Sequence, residues 1–332
     1  MLPLVETDYK WEKKIVELKN KRVTVTGGAG FLGSYIVEAF QEAGAIVHVA
    51  RSKDFNLVDI GNVRKMLKKT KPEVLIHAAA NVGGIGYNRL YPADIFFDNV
   101  MITGNVLKVA AETTSLEKLV IVGSSCAYPG EVTGRLQEHQ LLEGALHPSV
   151  ECYGFSKRAA VIGSKTYREQ YNLNSIVLMI TNLYGPRDKM DPTESHVVAA
   201  LIDKFVRAVR SGEDTVTVWG TGKAVREFLY AGDCADAIRL ATQSYDKPDL
   251  LNIGTGIDTS IKQLVELLVE VTQFKGEIVW DRSKPDGAML KVLDVSKIKE
   301  ELNWESTTAL RDGLAKSVEW YHTVLDSEQT TA

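Results

Sequence analysis

Residues 22–33 run R-V-T-V-T-G-G-A-G-F-L-G, a β-branched run that ends in a glycine-rich turn and passes straight into a helix-period segment reaching Ala43. A second apolar run, A-I-V-H-V-A, follows at 45–50. A strand, a helix and another strand in so short a span dictate two parallel strands joined by a right-handed crossover. The rhythm continues with a helix near 61–69, the strand E-V-L-I-H-A at 73–78, a long helix near 93–113 and the strand K-L-V-I-V-G at 118–123. A helix near 152–171 and the strand S-I-V-L-M-I at 175–180 complete it. Strands and helices alternate as a parallel sheet requires, so the expected fold is α/β, a Rossmann-type doubly wound parallel sheet.

Beyond residue 182 the rhythm loosens into short elements, including T-V-T-V-W-G at 215–220 and an amphipathic helix at 259–272. This stretch reads as a smaller C-terminal α/β domain with one excursion back to the first. The expected division is 21–182 plus about 226–256 for the Rossmann domain, and 183–225 plus 257–322 for the substrate domain. Residues 1–20 form an extension in which a short helix over 8–19 places Trp11, Ile15 and Leu18 on one face.

A chain of 332 residues with 45% hydrophobic content has ample apolar surface for a core. Its net charge of -4, without a basic stripe, excludes a nucleic-acid footprint and favours small ligands. The three cysteines, Cys126, Cys152 and Cys234, form no CxxC and suit a reducing cytoplasm. No metal site is expected. The charged N-terminal stretch does not read as a signal peptide, and no run reaches the ~18 apolar residues of a membrane span.

Gly27, Gly30 and Gly33 have the spacing GxxGxxG between strand and helix. There, glycines permit a tight turn and close approach of a pyrophosphate to the helix N-terminus. A carboxylate past the second strand would select NAD, but H-V-A-R-S-K at 48–53 puts Arg51 and Lys53 there, which favours NADP(H). The other reading of that turn is a solvated basic loop with Asp54 on the ribose.

In a doubly wound sheet, ligands bind beyond the carboxyl ends of the strands, so Ser124, Ser125 and Cys126 should face the reactive end of the cleft. In E-C-Y-G-F-S-K, Tyr153 and Lys157 lie four apart on one helix face. There the lysine cation would favour the phenolate and make Tyr153 a better proton donor, while a serine hydroxyl holds the reacting oxygen. On its own Cys126 reads as a small buried hydrophobe, and His196 as a surface residue at a helix start.

With GxxGxxG, the strand-end serines and YxxxK together, the chain is identified as a member of the extended short-chain dehydrogenase/reductase family. A-A-A-N-V-G-G-I, G-S-S-C-A-Y-P, T-N-L-Y-G-P-R-D with S-H-V-V-A-A-L, and V-W-G-T-G-K-A-V-R-E-F-L resemble the GDP-L-fucose synthase group within it. L-N-I-G-T-G-I-D and S-K-P-D-G-A-M-L-K-V-L-D extend the likeness, which spans about residues 21–322. The resemblance implies reduction by Ser124, Tyr153 and Lys157, with Cys126 and His196 exchanging protons at the carbons flanking a ketone. That chemistry is sound, since a 4-keto group acidifies C3 and C5, and a thiol and an imidazole both titrate near neutrality.

Further implied cofactor contacts are Phe31, Leu32, Ala78, Ala79 and His196, with Asp59 accepting from the adenine amino group. Asn182, Val197, Trp219, Arg226 and Lys291 would meet a nucleotide sugar, GDP-linked by preference, although Trp219 also reads as a core aromatic. The helices at 93–113 and 152–171 would form a homodimer through a four-helix bundle. Two departures bear on the substrate. D-G-A-M-L-K stands where the family pattern is D-G-T-P-R-K, so Leu290 replaces an arginine that could serve the diphosphate, and I-T-N-L-Y-G-P stands for P-T-N-L-Y-G-P. Three functions follow: NADPH-dependent 3,5-epimerisation with 4-keto reduction of a GDP-linked 4-keto-6-deoxy sugar; a single-activity C4 reductase or 4-epimerase; and a non-catalytic NADP-binding sensor.

Overall fold

The computed structural model describes residues 15–191, 195–284 and 286–331. Strands β1 (Arg22–Thr26), β2 (Ile46–Ala50), β3 (Val74–His77), β4 (Lys118–Val122) and β5 (Ser175–Ile180) alternate with helices α1 (Phe31–Glu42), α2 (Ile60–Thr70), α3 (Ile85–Leu90), α4 (Pro92–Ala111) and α5 (Glu151–Tyr171). The chain continues through β6 (Asn182–Tyr184), α6 (Val197–Ser211), β7 (Thr215–Trp219), β8 (Val225–Arg226), β9 (Phe228–Tyr230) and α7 (Ala231–Ser244). It ends with β10 (Leu251–Ile253), β11 (Thr259–Ser260), α8 (Ile261–Thr272), β12 (Glu277–Asp281), β13 (Leu290–Lys291), α9 (Ser296–Leu302) and α10 (Leu310–Thr331).

Six strands form one parallel sheet in the order β10-β5-β4-β3-β1-β2, the doubly wound arrangement expected. Val23, Val25, Val74, Leu75, Ile76 and Leu119 have no exposed surface. Each such side chain contributes about 1.5–3 kcal/mol on leaving water, so these runs can be stable only with both faces covered. Residues of α1 and α7 cover one face, and those of α2, α4 and α5 the other. A third apolar cluster unites α6, α8 and α10 with β7. The strand order reverses between β1 and β3, and a crevice opens there beyond their carboxyl ends.

Two expectations change. The last third is not made only of short pieces: α6, α7 and α10 are full helices of 15, 14 and 22 residues. Nor does the expected N-terminal helix reach its end. Residues 15–18 are non-helical, Val16 N–H donates to the Gln243 carbonyl at 2.9 Å, and burial alternates, with Val16 and Leu18 inside and Ile15 outside. That period of two suits an extended segment against α7, not a helix face. Trp11 lies outside the described residues. Among the described residues, no helix is long and apolar enough to cross a membrane.

Candidate active site

The turn after β1 is shaped by its glycines. Gly27 has φ +72, and a Cβ there would lie 2.8 Å from the Ala79 nitrogen. A Cβ on Gly33 would fall 1.9 Å from the Gly27 carbonyl oxygen, so any side chain would force α1 away from β1. Gly30 is the N-cap of α1 and brings no side-chain acceptor to the helix N-terminus. The first-turn N–H groups therefore remain available to an anion, as a pyrophosphate site requires.

These glycines form one wall of a cavity of about 1460 Å³, which also takes in the ends of β2, β3, β4 and β5. Phe31, Leu32, Arg51, Ala78 and Ala79 line it, together with Ser124, Ser125, Cys126, Tyr153 and Lys157. From the later part of the chain come Asn182, His196, Val197, Trp219, Arg226 and Lys291. Asp59 is not among the lining residues. Its carboxylate caps α2, accepting from Gly61 N–H at 2.7 Å and from the Asn62 amide at 3.3 Å. An aspartate before a helix reads equally well as an N-cap, and the cap is formed here. Trp219 is 63% exposed at the end of β7, flanked by the ammonium groups of Lys204 and Lys284 at 5.5 Å, so it is not a core residue.

The turn after β4 carries the reactive side chains. Ser124 Oγ accepts from Cys126 N–H at 3.2 Å and so fixes the tight 3-10 turn over Ser125–Ala127. Gly154 allows that turn to lie against α5, since a Cβ at this position would be 2.4 Å from the Cys126 carbonyl oxygen. The glycine inside Y-G-F-S-K thus brings Cys126 beside Tyr153, a packing signal the sequence carried but did not explain.

Lys157 is buried and its ammonium donates to the Val122 carbonyl at 2.9 Å, 5.5 Å from the centre of the Tyr153 ring. Burial lowers its pKa to about 8, against the pull of Cys126. The Tyr153 phenol is pushed up, first by burial and then by Cys126, with the Ser124 hydroxyl opposing. The expectation of a phenolate favoured by Lys157 is therefore not met in the resting protein. Tyr153 instead holds its proton at neutral pH, the state a proton donor needs.

Burial alone raises the Cys126 thiol, but the Lys291 cation, the Ser124 hydroxyl and Lys157 bring it below its ordinary value. Lys291 Nζ lies 3.3 Å from Cys126 Sγ, a contact between residues 165 positions apart in sequence. His196 is the N-cap of α6; its imidazole opens onto the cavity yet is ringed by protein, and this desolvation, with Lys291, holds its pKa below the ordinary value. The cavity thus offers a protonated phenol, a thiol inclined to ionise and an imidazole inclined to stay neutral. Such a set can protonate a carbonyl oxygen and move protons on neighbouring carbons.

A glycine-rich turn at a sheet's switch point, with a serine past β4 and a tyrosine and a lysine on α5 beside it, defines a dinucleotide-dependent enzyme of the epimerase/reductase class. The chain belongs to the NAD dependent epimerase/dehydratase family, whose model matches residues 23–254. The GDP-L-fucose synthase of Sinorhizobium fredii (strain NBRC 101917 / NGR234) is 40% identical over 302 residues, covering 91% of this chain and 96% of that one. A crystal structure of a GDP-6-OMe-4-keto-L-xylo-heptose reductase from C. jejuni matches with a TM-score of 0.87 at 30% identity, covering 93% of this chain and 99% of that one. A GDP-mannoheptose C4 reductase from Campylobacter jejuni, solved with NADP bound, matches with a TM-score of 0.82 at 31% identity, over 91% and 98% of the two chains. The likeness to GDP-L-fucose synthases seen in the sequence is borne out, and the chain is an enzyme of the nucleotide-sugar epimerase/reductase kind.

Proposed function

We propose that this enzyme converts GDP-4-keto-6-deoxy-D-mannose to GDP-L-fucose, inverting C3 and C5 and then reducing the 4-keto group with NADPH. The observation that carries this reading is the ionisable pair Cys126 and His196 in the same cavity as Tyr153 and Lys157. A C4 reductase needs only the second pair; proton donors and acceptors toward two further carbons are what epimerisation adds. NADPH supplies the hydride. Tyr153 gives its proton to the C4 oxygen, the Ser124 hydroxyl orients that oxygen, and Lys157 supports the departing proton's charge. Cys126 takes the proton from the carbon beside the ketone and His196 returns one from the opposite face. Arg226 supplies a fork for the diphosphate, and Asn182, Val197 and Trp219 meet the sugar nucleotide from the same cavity wall.

The second reading is a single-activity C4 reductase, favoured by Leu290 in the cavity wall where an arginine was expected and by the heptose reductases among the structural matches. Incubation with NADPH and the 4-keto sugar in heavy water separates the two. Product with deuterium at C3 and C5 and the L-fuco configuration supports the bifunctional enzyme; unlabelled, uninverted product supports the reductase.

Arg51 is exposed and lines the cavity beyond β2, where its charge would meet a 2′-phosphate. NADPH should therefore exceed NADH in kcat/KM by at least tenfold, a difference of about 1.4 kcal/mol. Equal values would shift that corner to Asp54 and the ribose. We also infer a homodimer, since Phe96 and Phe97 of α4 and Phe155 and Ile162 of α5 leave apolar surface exposed on adjacent helices.

A further inference from the structure

The segment that carries Lys291 is held from three sides. In β13, Lys291 lies in parallel register with Arg226 of β8. Two residues on, Leu293 N–H donates at 2.7 Å to the carboxylate of Glu227, a residue with no exposed surface. That carboxylate also accepts from Thr255 and Gly256 N–H at 2.8 Å each. Leu136 grips the same segment from the other side: its N–H donates to the Val292 carbonyl at 2.8 Å, and its carbonyl accepts from Asp294 N–H at 2.9 Å. The backbone around Lys291 is thus hydrogen-bonded on both sides, which fixes the place from which its side chain starts. Its ammonium reaches one sulfur, at 3.3 Å. Among the described residues it forms no ion pair with a carboxylate.

We propose that Lys291 is a positioning residue for Cys126, its ammonium holding the sulfur in the thiolate form that removes the substrate proton. The inference rests on the reading of Cys126 as the base and gives Lys291 a role other than binding the diphosphate. The groups facing Cys126 are consistent with this. From α5 come Lys157, whose ammonium is tied to the Val122 carbonyl, and Tyr153, whose phenol stays neutral. Arg226 faces it from β8, Ser124 from its own turn, and His196 from the start of α6. Of the cations, Lys291 bears most strongly on the thiol, ahead of Lys157. The same cation disfavours a second positive charge on His196, so it keeps the thiolate and the imidazole distinct instead of letting them share a proton.

The test reads the sulfur directly, without substrate. The rate of Cys126 alkylation by iodoacetamide, followed by peptide mass spectrometry against Cys152 and Cys234, gives the pH midpoint of ionisation. In the wild type it should lie below the ordinary thiol value of about 8.5. In Lys291→Met, which keeps the chain length and loses the charge, it should rise by about one unit or more, and Lys291→Arg should restore it. In turnover, deuterium exchange at the carbon served by Cys126 should fall by about tenfold at neutral pH in Lys291→Met and recover in Lys291→Arg, since one unit of ionisation is a tenfold change in thiolate. A Lys291→Met midpoint equal to the wild type's overturns the proposal. So does a wild-type midpoint at or above the ordinary thiol value, a result available even if the variant fails to fold. If the midpoints move as expected but no 4-keto sugar is turned over, it is the substrate reading that fails.

Discussion

Tyr153→Phe should retain the fold and cofactor affinity and lose reduction by roughly two or more decades, the contribution of a well-placed general acid. The ring is buried, and removing one hydroxyl leaves its packing against Lys157 and the 3-10 turn in place. Because burial and Cys126 both push the phenol up, the wild-type side chain keeps its proton at neutral pH. Single-turnover measurement of NADPH oxidation isolates this step from product release. A rate near that of the wild type would remove Tyr153 from the proton path.

Cys126→Ser should have an effect of similar size on a different observable. A serine hydroxyl ionises far above the ~8.5 of a thiol, so even beside Lys291 it is a poor base, and exchange at its carbon should slow by two orders of magnitude or more. The phenol, Lys157 and the hydride donor are untouched. In heavy water the variant should take up little deuterium, and any product formed should keep the original configuration at C3 and C5. His196→Asn removes the group that returns a proton from the other face, and should affect the two carbons unequally. Wild-type exchange in both variants would make Cys126 and His196 structural and leave the single-activity reductase as the better description.

The parallel sheet was legible because strands buried on both faces are written as unbroken apolar runs, and V-L-I-H and K-L-V-I-V admit little else. The turn at Gly27 was equally plain, for steric exclusion at Gly27 and Gly33 is a local property. Local pattern misled at Ile15 and Leu18, where two apolar residues three apart fit a helix but the buried pair proved to be Val16 and Leu18. It was ambiguous at Asp59, since an aspartate ahead of a helix suits a cap and a ligand alike. The contact of Lys291 with Cys126 could not be read at all. It depends on β13 pairing with β8 and on the Glu227 carboxylate, and neither leaves a periodic trace.

The order of the active residues along the chain has an evolutionary consequence. On the proposed reading, the residues that serve the ketone, Ser124, Tyr153 and Lys157, fall between β4 and the first turns of α5. His196 and Lys291, to which the same reading assigns the proton chemistry at the neighbouring carbons, come from two later segments; Lys291 reaches Cys126 through a tertiary contact and His196 lines the same cavity. On that reading, drift in those later segments would silence inversion while leaving reduction intact, whereas damage to the earlier segment would remove reduction itself.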